Sequence, residues 1–198
     1  LCSRLISYYL IIINLHKKFN FIFCILLFSL LPMNNTVFAE GGYSQDFQFK
    51  SVSPHNTQII VNKFKSLKKQ CELLENSSYK LDCLSYIFWK MSEEIPQNSA
   101  YEDARLAFVY GASKFKDLAK NNVNFELEPL SVPNFSRQLN GSTDDKINER
   151  TVQEEIDNIF VEIDTILLRS LDNSDSRKLA FQQIASIIGS SKVLVRSE

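Results

Sequence analysis

Residues 54–96 read PHNTQIIVNKFKSLKKQCELLENSSYKLDCLSYIFWKMSEEIP, and they decide the fold class of this 198-residue chain. Apolar residues recur there at spacings of three and four, which is typical of a buried stripe on an amphipathic helix. The first stripe comprises Ile60, Phe64, Leu67, Cys71 and Leu74. The second stripe comprises Leu81, Leu84, Phe88, Met91 and Ile95. Polar residues 76–78 separate the two stripes, so the stretch predicts a helical hairpin.

Two cysteines lie beside the turn of this hairpin. Cys71 is near the end of the first helix and Cys83 near the start of the second, so the hairpin brings them together. We predict one structural disulfide, because an exported protein meets oxidising conditions and a redox-active pair normally has C-x-x-C spacing. Two unpaired buried thiols are the alternative. A metal site is not predicted, since zinc needs four ligands and His55 is the one histidine outside the N-terminal region.

Three further helices are predicted after Pro96. Ser99 and Glu102 form a capping-box pattern at the start of the third helix, which ends near Asn121. The fourth helix starts between residues 143 and 151 and ends near 171, and the fifth follows the turn at 173–174 and ends at Gly189. Their stripes comprise Tyr101, Ala104, Phe108, Ala112 and Phe115 in the third helix, Val152, Ile156, Ile159, Ile163, Ile166 and Leu167 in the fourth, and Phe181, Ile184 and Ile188 in the fifth.

Residues 122–141 interrupt the helical pattern. Val123, Phe125 and Leu127 alternate with polar residues, which predicts a short strand within a long excursion. Residues 193–195 predict a second small strand. The fold class is therefore mainly α, a helical bundle of about five helices with a short β pairing. It forms a single helical domain over 54–198, preceded by a polar, aperiodic segment 40–53 that we interpret as a mobile arm.

Residues 1–39 have the features of a secretory signal region. Lys17 and Lys18 precede an apolar run over 19–31, and Val37-Phe38-Ala39 forms a V-x-A cleavage pattern. The run of 13 residues is shorter than the ~20 that span a bilayer, so no stable membrane span is expected after cleavage following residue 39. Translation from Leu15 would give a signal of normal proportions. Cys24 lies inside the apolar run, which argues against a lipid anchor.

Composition and motifs exclude several classes of function. The 159 residues after the signal region carry 19 Lys and Arg against 23 Asp and Glu, a net charge of -4, so a nucleic-acid partner is not expected. The chain has no G-x-S-x-G, phosphate-binding or dinucleotide-binding glycine motif. His55 stands alone at a predicted helix start. We therefore predict no catalytic residue and no cofactor.

Charged side chains suggest two alternative functions, a hydrolase that uses carboxylates and a surface that binds anions through lysines. Carboxylates crowd the fourth helix and end the second, and a carboxylate-dependent hydrolase of envelope or extracellular polymers would need two of them to converge on a cleft. The carboxylates are Glu154, Glu155, Asp157, Glu162 and Asp164, with Glu93 and Glu94. Lysines of the first and third helices could bind an anionic surface. For both sets a solvated helix face is the simpler interpretation.

Three aromatic residues fall off the predicted stripes. Tyr86 and Trp89 lie on the second helix and Tyr110 on the third, and each is rotated away from the core contacts of Phe88 or Phe108 at 3.6 residues per turn. We predict that they form an accessible patch that binds a partner. If the excursion over 122–141 folds across them, they are a second layer of the core instead.

Two segments carry a resemblance to known proteins. Residues 79–84, YKLDCL, and residues 184–197, IASIIGSSKVLVRS, resemble small exported helical proteins of unknown function in the Rhizobiales. The bias toward Asn, Ile, Lys and Phe is similar to that of the Liberibacter branch, whose exported proteins are often proposed as host-directed effectors. The resemblance implies a periplasmic or extracellular compartment and a family. It implies no active site.

The sequence thus predicts an exported, non-enzymatic helical protein that acts by binding an unidentified protein or envelope component. The carboxylate hydrolase is one rival interpretation. A structural or oligomeric component of the envelope is another, and it predicts a molecular size that depends on concentration.

Overall fold

The computed structural model describes residues 49–143, 149–169 and 174–196. They form the predicted bundle of five α-helices, in the chain order α1 Pro54–Glu72, α2 Lys80–Glu94, α3 Glu102–Asn121, α4 Arg150–Arg169 and α5 Asp175–Gly189. Two short 3-10 segments accompany them, Ser77–Tyr79 before α2 and Ser190–Leu194 after α5. The fold class inferred from the apolar spacing is confirmed.

The five helices form a closed ring in which each one packs mainly against two neighbours. The order around the ring is the chain order, and α5 returns to contact α1. The predicted stripes face inward, and at the centre Phe64, Phe88 and Phe108 lie with ring centroids 5.6 to 5.7 Å apart. Gly111 lets α3 approach α2 closely, because a methyl group there would overlap the Phe88 ring. Aromatic packing of this kind stabilises the core beyond the area that it buries.

The predicted disulfide joins α1 to α2. Cys71 lies in the last turn of α1 and Cys83 in the first turn of α2, with their Cα atoms 5.8 Å apart. Both residues are fully buried. The bridge closes the hairpin beside its turn, as the spacing of the two stripes predicted.

Side-chain caps explain where the helices begin. The Ser53 hydroxyl accepts a hydrogen bond from the Asn56 N–H ahead of α1, and Ser174 does the same for Arg177 ahead of α5. The predicted capping box before α3 differs in detail. Glu102 accepts from the N–H of Asn98, whose φ of 57° turns the chain, and α3 begins at Glu102 itself. The Ser99 hydroxyl accepts from the Tyr101 N–H instead, so the reciprocal pair of bonds expected for a capping box does not form.

The predicted strands do not form in the described residues. The excursion doubles back on itself through two isolated antiparallel bridges, Val123 with Ser142 and Leu130 with Leu139. Pro129 and Pro133 lack an N–H donor and cannot extend a ladder. Phe125 is 92% exposed, so its alternation with polar residues does not mark a buried face. Residues 193–195 were wrongly predicted as a strand; they lie in and directly after the final 3-10 segment.

The last residues of the segment 40–53, which the sequence predicts as a mobile arm, pack against the helical domain. Phe49 is buried and packs edge-on against Tyr101 with centroids 5.7 Å apart. Its carbonyl accepts a hydrogen bond from the Ala100 N–H, and the Ser53 N–H donates to the Tyr101 hydroxyl. Residues 40–48 and the predicted signal region 1–39 lie outside the described residues. Within the described ranges, no helix is both long and apolar enough to cross a membrane.

Candidate functional site

The three aromatic residues predicted as a binding patch have different environments. Trp89 is 40% exposed, Tyr110 is partly buried, and Tyr86 is only 2% exposed. The accessible position predicted for Tyr86 is therefore wrong. The excursion covers it, because Phe135 stacks on its ring at 4.0 Å and the Ser136 N–H donates to its hydroxyl. Tyr86 belongs to a second layer of the core, which was the alternative interpretation.

A groove of about 550 Å³ opens beside Trp89 between α2 and α3. We call it the Trp89 groove. Its α2 wall comprises Ser85, Trp89, Ser92 and Glu93. Tyr110 does not line it and instead lies under the ammonium of Lys114, at 5.9 Å. Of the predicted patch, Trp89 alone reaches this groove.

The opposite walls come from α3 and from the excursion. The α3 wall comprises Val109, Ala112, Ser113 and Lys116, and the excursion contributes Ser136 and Arg137. Val109 is 40% exposed, like Trp89 across the groove. The groove is thus lined by two exposed apolar side chains together with polar and charged groups. Binding sites commonly have this arrangement, with apolar contact supplying area and polar groups fixing orientation.

An ion pair fixes the excursion to α2. Arg137 donates from both terminal nitrogens to the Asp82 carboxylate, at 2.7 and 2.8 Å. Asp82 also accepts from the Asn140 N–H at 2.8 Å, and the Ser85 hydroxyl accepts from Arg137 at 3.1 Å. The Asp82 side chain is buried and that of Arg137 is about one-third exposed. The bidentate geometry holds the third wall of the groove, which Ser136 and Arg137 of the excursion form, in a defined position.

Trp89 sits on a supported surface. The centroid of its ring lies 5.5 Å from that of Tyr86. The Arg137 guanidinium also lies 5.5 Å from the Tyr86 ring centroid. The Trp89 carbonyl accepts a hydrogen bond from Ser92 at 2.6 Å. The buried Tyr86 layer therefore backs the exposed indole, which limits the conformations that the side chain adopts before binding.

Several of the other charged candidates form surface ion pairs. On α4, Asp157 pairs with Arg196 at 3.2 Å and Glu154 with Arg150 at 2.8 Å. Glu94 pairs with Lys63 and Lys90, both at 3.3 Å. His55 is exposed at the start of α1. In the part of the chain that the structure describes, no three His, Cys, Asp or Glu side chains converge as a metal site would require.

Among the acidic residues of α4, Asp164 has a pKa that differs from its ordinary value. Partial burial raises its pKa, and the nearby Lys192 opposes that rise. A raised pKa means that the folded chain binds this proton more tightly than the unfolded chain does. The associated stability is present below the ordinary pKa of Asp and is lost as the pH rises through the folded pKa.

We therefore expect Asp164→Asn to raise the melting temperature at pH 7, since it removes a carboxylate that is costly to ionise. The gain should disappear at about pH 3, where the wild-type carboxyl is protonated in both states. Thermal unfolding followed by circular dichroism at the two pH values measures both quantities. Glu155→Gln, which changes an exposed carboxylate of the same helix, is the matched control. A gain that is equal at both pH values would contradict the prediction.

Two smaller grooves lack comparable features. One of about 440 Å³ lies between α1 and α5 and is lined mostly by glutamine, serine and lysine side chains. Another, of about 220 Å³, lies between α1 and α2 beside Phe49. Neither contains an exposed aromatic residue.

Trp89 was predicted from the sequence as a binding residue, whereas the other residues that line the groove were not. Val109 could have been found by the same phase argument, since it lies off the α3 stripe. Ser136 and Arg137 could not, because their position depends on how a non-helical excursion folds. Comparison of the chain with known protein families, with curated proteins and with solved structures finds no match.

Proposed function

We propose that this chain is an exported, non-enzymatic binding protein that holds a partner protein in the Trp89 groove. The observation that carries the proposal is an exposed tryptophan that lines a groove and packs against the buried ring of Tyr86. Tryptophan is enriched among the residues that dominate binding energy, and the apolar rings of such residues are usually backed by packed neighbours. Val109 on the facing wall extends the apolar contact.

Leu106 enlarges this apolar surface. It precedes Val109 by three residues on α3, so the two side chains lie on the same face of the helix, and both are exposed. Leu106 does not line the groove, but it adds exposed apolar surface on the same helix face as Val109, and exposed apolar surface of this kind marks interaction sites.

The proposal of export rests on the signal pattern over 1–39 and on the placement of the cysteine pair. A disulfide in a protein of this size is most useful where thiols are not kept reduced. A host-directed role rests on the resemblance to exported proteins of the Rhizobiales. Mass spectrometry of the protein recovered from the cell envelope and medium tests export, and it should find an N-terminus at Glu40.

The binding role is tested with the oxidised domain as bait. We expect Trp89→Ala to reduce capture of a specific partner from envelope or host extracts by about tenfold or more, as loss of a central aromatic contact does. Leu179→Ala is the matched control, because Leu179 is also an exposed apolar residue but lies on α5. Quantitative mass spectrometry of the captured proteins compares the baits.

A direct binding measurement then tests whether the partner binds at the Trp89 groove. Trp89 is the only tryptophan in the chain, so its fluorescence reports on the groove alone when the purified partner contains none. The emission should shift to shorter wavelength as partner binding removes the indole from water. A partner that binds wild-type and Trp89→Ala protein equally would refute the proposed site.

A further inference from the structure

The charges of the Trp89 groove are separated along its length. Glu93 is near the C-terminus of α2, and Lys116 is in the second half of α3. The two helices follow one another through residues 95–101 and pack extensively, so they run antiparallel as a hairpin. The C-terminal end of α2 therefore faces the N-terminal half of α3. Glu93 and Lys116 consequently lie toward opposite ends of the groove.

Two further observations support this assignment of the ends. Glu93 contributes to raising the pKa of Arg105, after the larger effect of the Arg105–Glu102 hydrogen bond, which places Glu93 near the first turn of α3. Arg137 binds Asp82 and Ser85 in the N-terminal half of α2, which places it at the Lys116 end. Asp82 neutralises Arg137. Lys116 therefore gives its end of the groove a positive charge, and Glu93 gives the other end a negative charge.

The length of the groove limits what it holds. Its α2 wall spans Ser85 to Glu93 and its α3 wall spans Val109 to Lys116, separations of eight and seven residues. At 1.5 Å per residue, the two walls are about 12 and 10 Å long. An extended peptide rises about 3.3 Å per residue, so each wall contacts about three residues of it. The exposed Trp89 and Val109 side chains lie between the charged ends.

Resting on the function proposed above, we infer that the groove binds an extended three-residue segment of a partner protein with a basic, an apolar and an acidic side chain. The basic residue lies at Glu93, the apolar residue between Trp89 and Val109, and the acidic residue at Lys116. Ser113 and Ser136 line opposite walls between these positions. Charge complementarity of this kind selects partners and fixes the register in which they bind.

The inference is tested with acetylated, amidated pentapeptides that differ only in their central three residues. The probes are Gly-Lys-Leu-Glu-Gly, the like-charged Gly-Lys-Leu-Lys-Gly and Gly-Glu-Leu-Glu-Gly, and Gly-Lys-Gly-Glu-Gly, which lacks the apolar side chain. Trp89 emission and isothermal titration calorimetry measure binding to the oxidised protein. We expect the Lys-Leu-Glu peptide to bind about tenfold more tightly than each of the others.

Charge reversal in the protein should change this preference. Lys116→Glu leaves two acidic ends and should favour the Lys-Leu-Lys peptide, whereas Glu93→Lys leaves two basic ends and should favour Glu-Leu-Glu. Lys114→Glu makes the same change on α3 at a residue that does not line the groove, so it should keep the wild-type preference. Circular dichroism establishes that each variant is folded before its binding is measured.

An unchanged order of peptide affinities in both groove variants would overturn the inference. So would the absence of binding by any peptide at millimolar concentration. If this happened while capture of the partner still required Trp89, the charge-separated peptide segment would be excluded and the binding function would stand. If capture did not require Trp89, the proposed function itself would fail.

Discussion

Replacing both Cys71 and Cys83 by Ser will lower the free energy of unfolding by about 2–4 kcal/mol, the usual contribution of a structural disulfide. The bridge spans a sequence separation of 12, so its loss restores the conformational freedom of a closed loop in the unfolded chain. Both residues are fully buried, and two serine hydroxyls in their place would also need hydrogen-bond partners.

Denaturation by guanidinium chloride, followed by circular dichroism, measures this loss. The helical signal before unfolding should stay close to that of the wild type, because the buried stripes of α1 and α2 do not depend on the bridge. The double variant Cys71→Ala and Cys83→Ala separates loss of the bridge from burial of hydroxyls. Wild-type protein isolated after export should contain no free thiol outside the signal region. Two free thiols, or equal stability of wild-type and alanine protein, would contradict the prediction.

Asp82→Ala should lower the free energy of unfolding by about 3 kcal/mol, at the low end of the range for removing one partner of a buried ion pair. The change removes the carboxylate that pairs with the Arg137 guanidinium and accepts from the Asn140 N–H, and it leaves Arg137 with neutral acceptors only. The low end applies because the Arg137 side chain is one-third exposed, so water hydrates part of the charge that is left behind.

A double-mutant cycle with Arg137→Ala measures the coupling between the two side chains. The double variant should be more stable than the sum of the single effects predicts, because it leaves no unpaired buried charge. Glu154→Ala is the control, since its pair with Arg150 is exposed and should contribute less than about 1 kcal/mol. Additive effects of the two substitutions in urea denaturation would show that the pair does not act as a unit.

Local spacing was sufficient to predict the helices because each buried stripe is a property of a single segment. The stripe of α2 over Leu81–Ile95 and the placement of Cys71 and Cys83 beside one turn needed no knowledge of the rest of the chain. The contact between Asp82 and Arg137 joins residues 55 positions apart. No periodicity encodes such a contact, because the segment that carries Arg137 is neither helix nor strand.

The different outcomes for Tyr86 and Trp89 illustrate the same limit. The two residues lie three positions apart on α2, and helical phase correctly turns both away from the central phenylalanine cluster. Phase does not report whether another segment covers that outer face. Residues 135–137 cover the turn that carries Tyr86 and stop short of Trp89, so one ring is buried and the other lines the groove.

The third wall of the Trp89 groove is held to α2 mainly by polar contacts, and this has a thermodynamic consequence. The amide hydrogens of Ser136 and Asn140 exchange with solvent only when their bonds to Tyr86 and Asp82 open. A ligand that contacts all three walls binds only while these hydrogen bonds are formed. Ligand binding therefore stabilises the bonded excursion by the same factor by which the bonded excursion strengthens ligand binding. If the groove binds a partner as proposed, the opening equilibrium of the excursion would set the apparent affinity of the groove.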